Sequence, residues 1–274
     1  MQSQSLAAFL AAHPQSVLVE IAEAKGSTPR EEGAVMLVAE HAAWGTIGGG
    51  QLEFMATDNA RAMLAGGGEV RMNVPLGPEI GQCCGGRTLI SFRPVTPPIA
   101  AELQRRLAKE DRARPAVFLF GAGHVGLALA RALVPLPLSV TVVETRAEAL
   151  RDLPGEVTAR HAAMPEALVA GIPAGGAAVI LTHDHALDFL IAREALARPD
   201  LAYVGMIGSA TKRATFAAWA RREGMAPEIS GRLVLPIGGS VVKDKRPEVI
   251  AAMVAAELLA TLLNPALRGC AADS

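Results

Sequence analysis

The stretch FLFGAGHVGLALA, Phe118 to Ala130, decides the fold. An apolar run ends at Gly121, and Gly121, Gly123 and Gly126 follow in G-x-G-x-x-G spacing as a helical run opens at His124. One glycine makes the tight turn, one lets a ligand approach the backbone, and one lets helix and strand pack closely. The N–H groups at the helix start then face a phosphate. SVTVVET comes next, and Glu144 closes it 23 residues after Gly121, where an acid grips a ribose diol. Glycines that serve packing alone are the other reading, and neither the turn nor Glu144 singles out NAD.

Working outward, AAVILT precedes a predicted helix over 186–197, and AYVGMIG precedes another over 210–223. A last helix opens at Pro247, a favourable first-turn residue, and stops at Asn264-Pro265. Continuous Val/Ile/Leu strands separated by helices specify a parallel sheet covered on both faces. The C-terminal half, 116–274, is therefore a Rossmann-like, doubly wound α/β domain. Upstream the pattern differs. SVLVEIAEA, AVMLVAE, AAWGTI, EVRMNVPL and RTLISFRPV are short, turn-bounded strands, interrupted by a helix over 52–65. Residues 1–97 thus form a strand-rich, mixed α+β domain, and 98–115 a charged helix and linker. The whole is an α/β protein of two domains.

Composition narrows the function. A formal net charge of -1 over 274 residues argues against nucleic acid or an anionic membrane surface as partner. The apolar runs are broken by charge or glycine before the ~20 residues of a membrane span. MQSQSLAAFLAAHPQSVLVE has no basic start and reads as an opening helix rather than a signal peptide. With three cysteines in all, the expectation is a cytoplasmic protein that handles a small molecule.

Ligands of open parallel sheets bind at the carboxyl ends of the strands. Two further loops belong there. LTHDHALD offers His183, Asp184 and His185. Asp184 as a helix cap with solvated histidines is one reading, and a metal set of His183, His185 and Asp188 another. GMIGSATKRATF offers Ser209 as N-cap, with Lys212 and Arg213 in the first helical turn. Cations there oppose the helix dipole at about 0.3–1 kcal/mol each, which a bound anion would offset. Lys243, Lys245 and Arg246 in GGSVVKDKRPE read as a solvated run. In the first half, Gly48, Gly49 and Gly50 run into a helix start, as a cradle for an anion or as a bend between strands.

IGQCCGG, 80–86, sets Cys83 beside Cys84. A disulfide between neighbours is disfavoured: their Cα atoms sit about 3.8 Å apart, below the ~4.4–6.8 Å of bridged pairs. A four-ligand zinc site lacks partners, since the third thiol, Cys270, lies near the C-terminus. The pair is either a small apolar filler or a soft ligand and nucleophile.

In order along the chain, KGSTPREEGAVMLV, GTIGGGQLE, GQCCGG, FGAGHVGLALA, LTHDHALDF and MIGSATKR closely resemble the XdhC family of xanthine dehydrogenase accessory proteins. The resemblance spans about 16–263. It implies a non-catalytic chaperone that binds the molybdenum cofactor, Mo-molybdopterin, while a cysteine desulfurase supplies its terminal sulfur. The cofactor then passes to the molybdenum subunit of xanthine dehydrogenase. It also implies a homodimer. Under it, the phosphate of the pterin suits Gly121–Gly126 with His124, or the Ser209, Lys212 and Arg213 helix start. Glu144 and His183 stand beside them, and Cys83 or Cys84 suits a molybdenum contact. Two departures stand out: Glu144 where the family commonly has Asp, and the basic GGSVVKDKRPE. Without the resemblance, an NAD(P)-dependent oxidoreductase using His183, His185 or His124 as acid/base, or a nucleotide-binding redox sensor, also fits the residues.

Overall fold

The computed structural model describes residues 2–77 and 85–264. Cys83, Cys84 and Cys270 lie outside the described residues. The chain divides into two compact units, Met1–Arg112 and Ala113–Ser274.

The first unit is a five-stranded antiparallel sheet in the order β3-β2-β1-β5-β4. Its strands are β1 (Val17–Lys25), β2 (Val35–Val38), β3 (Ala43–Gly45), β4 (Arg71–Pro75) and β5 (Arg87–Pro94). Strand alternation sorts the side chains: Val17, Val19 and Ile21 of β1 go to one face and Leu18 to the other. On the first face lies α2 (Gly50–Leu64), burying Leu52, Ala56 and Ala60, a strict i, i+4, i+8 stripe. On the second, α1 (Gln2–Ala12) contributes Leu6 and α3 (Pro97–Arg112) contributes Leu103 and Leu107, which close over Leu18 and Leu37. The charged helix expected between the domains thus belongs to the first unit, because its i, i+4 leucines have a sheet face to bury.

The second unit is a five-stranded parallel sheet in the order β10-β9-β6-β7-β8. Its strands are β6 (Ala116–Phe120), β7 (Ser139–Glu144), β8 (Thr158–His161), β9 (Ala177–Ile180) and β10 (Tyr203–Met206). Helices α4 (His124–Leu133) and α8 (Pro247–Leu262) cover one face, with Leu129, Leu133, Val254 and Leu258 against Val117, Leu119 and Val142. Helices α5 (His185–Leu196) and α6 (Ala210–Arg222) cover the other, with Ile191, Ala195, Phe216 and Ala220 against Phe120, Val143 and Ile180. A short helix, α7 (Pro227–Ser230), follows α6. This is a doubly wound Rossmann sheet. The chain reverses direction of travel between β6 and β9, and that switch point opens the crevice where such sheets take ligands. No helix among the described residues is long and apolar enough to cross a membrane.

Candidate functional site

Three loops meet the carboxyl edge of the parallel sheet, following β6, β9 and β10. In the first, packing itself requires two of the three glycines. A Cβ on Gly121, whose φ is 119°, would sit 2.6 Å from the Leu181 carbonyl oxygen of the neighbouring strand end. A Cβ on Gly126 would sit 2.2 Å from the Gly121 oxygen. Gly123 differs. Its φ is -74°, and nothing lies within 4 Å of the Cβ it lacks. It caps α4 with no side-chain hydrogen bond, so the first amides of that helix, beginning at the exposed His124, have no intrahelical acceptor. The turn is folded tightly by Gly121 and Gly126 and left open at Gly123.

Glu144, at the end of β7, is 4% exposed and holds the turn from the side. Its Oε2 accepts from the Ala122 amide at 2.9 Å and from Arg146 at 3.2 Å. Oε1 accepts from the Thr145 amide and hydroxyl and from the Arg146 amide and Nε, at 2.9 to 3.3 Å. Burial pushes the carboxyl up. The Arg146 guanidinium, the Ala122 and Arg146 amides and the Thr145 hydroxyl outweigh it, and hold the carboxyl at about 2. The carboxylate expected on a ribose diol is engaged by the chain's own donors.

The second loop is capped by Asp184, which accepts from the amides of Ala186 at 2.8 Å and Leu187 at 3.4 Å. His183 and His185 are exposed. Asp188 is fully buried and accepts from the Thr182 hydroxyl at 2.6 Å and the Thr182 amide at 3.2 Å. Among the described residues no three His, Cys, Asp or Glu side chains are grouped to hold a metal.

In the third loop Ser209 caps α6, accepting from the Lys212 amide at 3.3 Å. Here one expectation is corrected. The Lys212 ammonium does not face outward toward an anion. It is tucked under the helix start, donating to Asp188 Oδ2 and, at 3.0 Å, to the Ile207 carbonyl. The anion that offsets its unfavourable place on the helix dipole is the chain's own Asp188. Arg213 is exposed, and among the described residues its side chain has no hydrogen-bond or ion-pair partner. Arg246 pairs with Asp244 at 2.6 Å, while Lys243 and Lys245 are exposed.

The glycine triplet of the first unit repeats this logic. Gly48, Gly49 and Gly50 all adopt positive φ, and the Glu53 carboxylate accepts from the Gly49 amide at 3.0 Å, the Ile47 amide at 3.2 Å and the Thr46 hydroxyl at 2.5 Å. The cradle expected for a ligand anion is filled from its own helix. Sequence reading missed Glu53, Thr182 and Arg146. A glutamate one turn into a helix after a glycine run, and a lysine at a helix start, are the signals that point to such internal anions.

Residues 117–258 match the family model for the XdhC Rossmann domain, and residues 9–74 match that of the XdhC and CoxI family. The uncharacterized protein YqeB of Escherichia coli K12 is 28% identical over 258 residues, 88% of this chain and 42% of YqeB. The chain thus spans less than half of that relative. A Bacillus halodurans crystal structure described as a xanthine dehydrogenase superposes with a TM-score of 0.77. It is 17% identical, over 97% of this chain and 99% of the other. That likeness extends the fold match across both units.

Proposed function

The chain belongs to the XdhC family, and on that premise we propose that it serves xanthine dehydrogenase maturation as a carrier of the molybdenum cofactor rather than as an enzyme. It holds Mo-molybdopterin while a cysteine desulfurase installs the terminal sulfido ligand, and hands it to the molybdenum subunit of the dehydrogenase. The observation that supports a phosphate-bearing cargo is the open turn at Gly123. Two glycines there are used up by packing, and the third has ordinary backbone angles with empty space where a side chain would stand. A phosphate can approach those amides as closely as the backbone allows. Cys83 and Cys84 remain proposed as the soft contact to molybdenum, and a homodimer as the assembly.

The engagement of Glu144 weighs against the NAD(P)-dependent oxidoreductase. A ribose diol would compete with Ala122, Thr145 and Arg146 for the same two oxygens. The test is to purify the protein from cells that make the cofactor and to assay molybdenum and pterin, with Cys83→Ala and Cys84→Ala alongside. Near-equal molybdenum and pterin, lowered in a cysteine variant, supports the carrier. No retained pterin, with hydride turnover or tight NAD binding instead, sinks it.

A further inference from the structure

Beyond β10, residues 233–237 lie along the outer edge of the parallel sheet. Val234 bridges Gly205 in parallel, its amide donating to the Val204 carbonyl and its carbonyl accepting from the Met206 amide, at 2.9 Å each. The segment that follows, 238–246, therefore leaves from the carboxyl edge, and α8 begins from it. α4 begins at the same edge and packs beside α8 on one sheet face. The segment and the open Gly123 turn thus rise from one edge, at the starts of two neighbouring helices.

Its ends are fastened. Gly238, at φ 73°, donates its amide to Glu257 of α8 at 2.7 Å. Asp244 accepts from the Arg246 amide at 2.9 Å and from its guanidinium at 2.6 Å, directly before Pro247 opens the helix. Between these ties the chain has no regular structure and holds Val241 and Val242 outward, 89% and 44% exposed. Val241 is the most exposed large apolar side chain among the described residues. The others, Phe54, Val70, Met164, Leu190 and Ile229, stand singly in the sequence, which is ordinary for a protein surface. Two adjacent β-branched residues kept in water by a segment tied at both ends are not ordinary. A turn from sheet to helix has no need of them, and an apolar contact would stabilise them.

The charge around them selects the partner. Asp244 is neutralised within the segment by Arg246, which leaves the exposed ammonium groups of Lys243 and Lys245 beside the valines. We propose that 239–245 is a docking loop for another protein, one that offers an apolar pocket rimmed by carboxylates. Val241 and Val242 enter the pocket, while Lys243 and Lys245 meet the rim and steer the encounter. A second copy docking loop to loop about a two-fold axis would set these cations against each other. Two lysines also fall short of the clusters of about four to eight that hold a protein to anionic lipid. The inference builds on the carrier reading: a partner seated here stands beside the Gly123 turn, where the cargo would leave.

The test measures binding of the full chain to the purified, cofactor-free molybdenum subunit of the dehydrogenase by biolayer interferometry, at low and at high salt. Val241→Ser/Val242→Ser is expected to weaken binding about tenfold or more at either salt. Lys243→Glu/Lys245→Glu is expected to weaken it by a similar factor at low salt and to remove most of its salt dependence. All four positions are exposed, so the unfolding midpoint and the pterin retained from cells stay unchanged. Wild-type binding by both variants, or no binding by wild type, overturns the proposal. So does a loss that appears instead in self-association by sedimentation, in binding to phosphatidylglycerol vesicles or in retained pterin. Those results would make the loop a contact between copies, a lipid contact or part of the cargo site. If loop-dependent binding is found while cells leave no pterin on the protein, the carrier reading fails alone. If pterin is retained and the variants bind the subunit like wild type, the docking loop fails alone.

Discussion

The Lys212 ammonium donates to the Asp188 carboxylate between the loops that follow β10 and β9, with side chains 9% and 0% exposed. Asp188 also accepts twice from Thr182, so one buried carboxylate binds both loops of the crevice edge together.

Removing one partner of such a pair strands a charge in a low-dielectric site, at a cost of about 3–5 kcal/mol. Asp188→Asn and Lys212→Met are each expected to destabilise the C-terminal unit by that order. The double variant is expected to lose clearly less than the sum of the two. Denaturant unfolding in a Trp44→Phe background, followed through Trp219 on α6 of that unit, reads it. Simple additivity of the two losses would mean that the pair does not act as one.

Glu144 makes stability depend on pH. Its carboxyl is held at about 2 against an ordinary value of 4.5, so folding is favoured by its ionisation. That contribution is complete above about pH 4.5 and fades as pH falls toward 2. The stability gap between wild type and Glu144→Gln is therefore expected to be constant from pH 7 to 5 and to shrink between pH 4.5 and 3. A gap of the same size at every pH would show that the lost contacts are not charge-dependent.

Much of this was legible before any coordinates. The strands of both units apart from β8, the helix opening at His124 and the N-caps Asp184 and Ser209 follow from periodicity and short-range hydrogen bonding, which act within a few residues. β8 was not legible. Its TARH sequence is exposed at all four positions, so no apolar run announces it, and it exists because β7 offers an open edge. The partners of the site were not legible either. Glu144 meets Ala122 across 22 residues and Lys212 meets Asp188 across 24. Only the sheet order that places the β9 and β10 loops side by side reveals that Lys212 has an anion of its own. Spacing located the glycine turn; it could not say which of its glycines the fold consumes.

Two glycines of that turn, Gly126 and Gly123, separate folding from binding. Gly126→Ala forces a Cβ to 2.2 Å from the Gly121 carbonyl, a backbone clash that neither side chain can relieve. It is expected to lower the Trp219 unfolding midpoint strongly or to abolish the folded C-terminal unit. Gly123→Ala meets nothing within 4 Å and adopts an ordinary φ. It is expected to fold as wild type, at a cost of about 1 kcal/mol for the poorer helix cap, yet to retain markedly less phosphate-bearing cargo. Wild-type retention by Gly123→Ala would remove the turn from the binding site.

Tyr203, the single tyrosine of the chain, is 4% exposed and donates to Glu257 Oε2 at 3.0 Å, which also accepts from the Gly238 amide at 2.7 Å. Burial first, then the Glu257 charge and the hydrogen bond itself, push the phenol well above its usual value of 10.0. A raised folded value means that stability from this group is fully present below pH 10 and is lost as pH rises beyond it. With one tyrosine there is no overlapping signal, so absorbance at the phenolate band is expected to stay flat through the range where free tyrosine ionises. It should then rise together with loss of the native circular dichroism, as one transition. In Glu257→Gln the phenol loses its charged acceptor, and its ionisation is expected to begin at lower pH. A wild-type phenol that titrates near pH 10 in the folded protein would place Tyr203 in contact with solvent and break the tie between β10, α8 and the Gly238 loop.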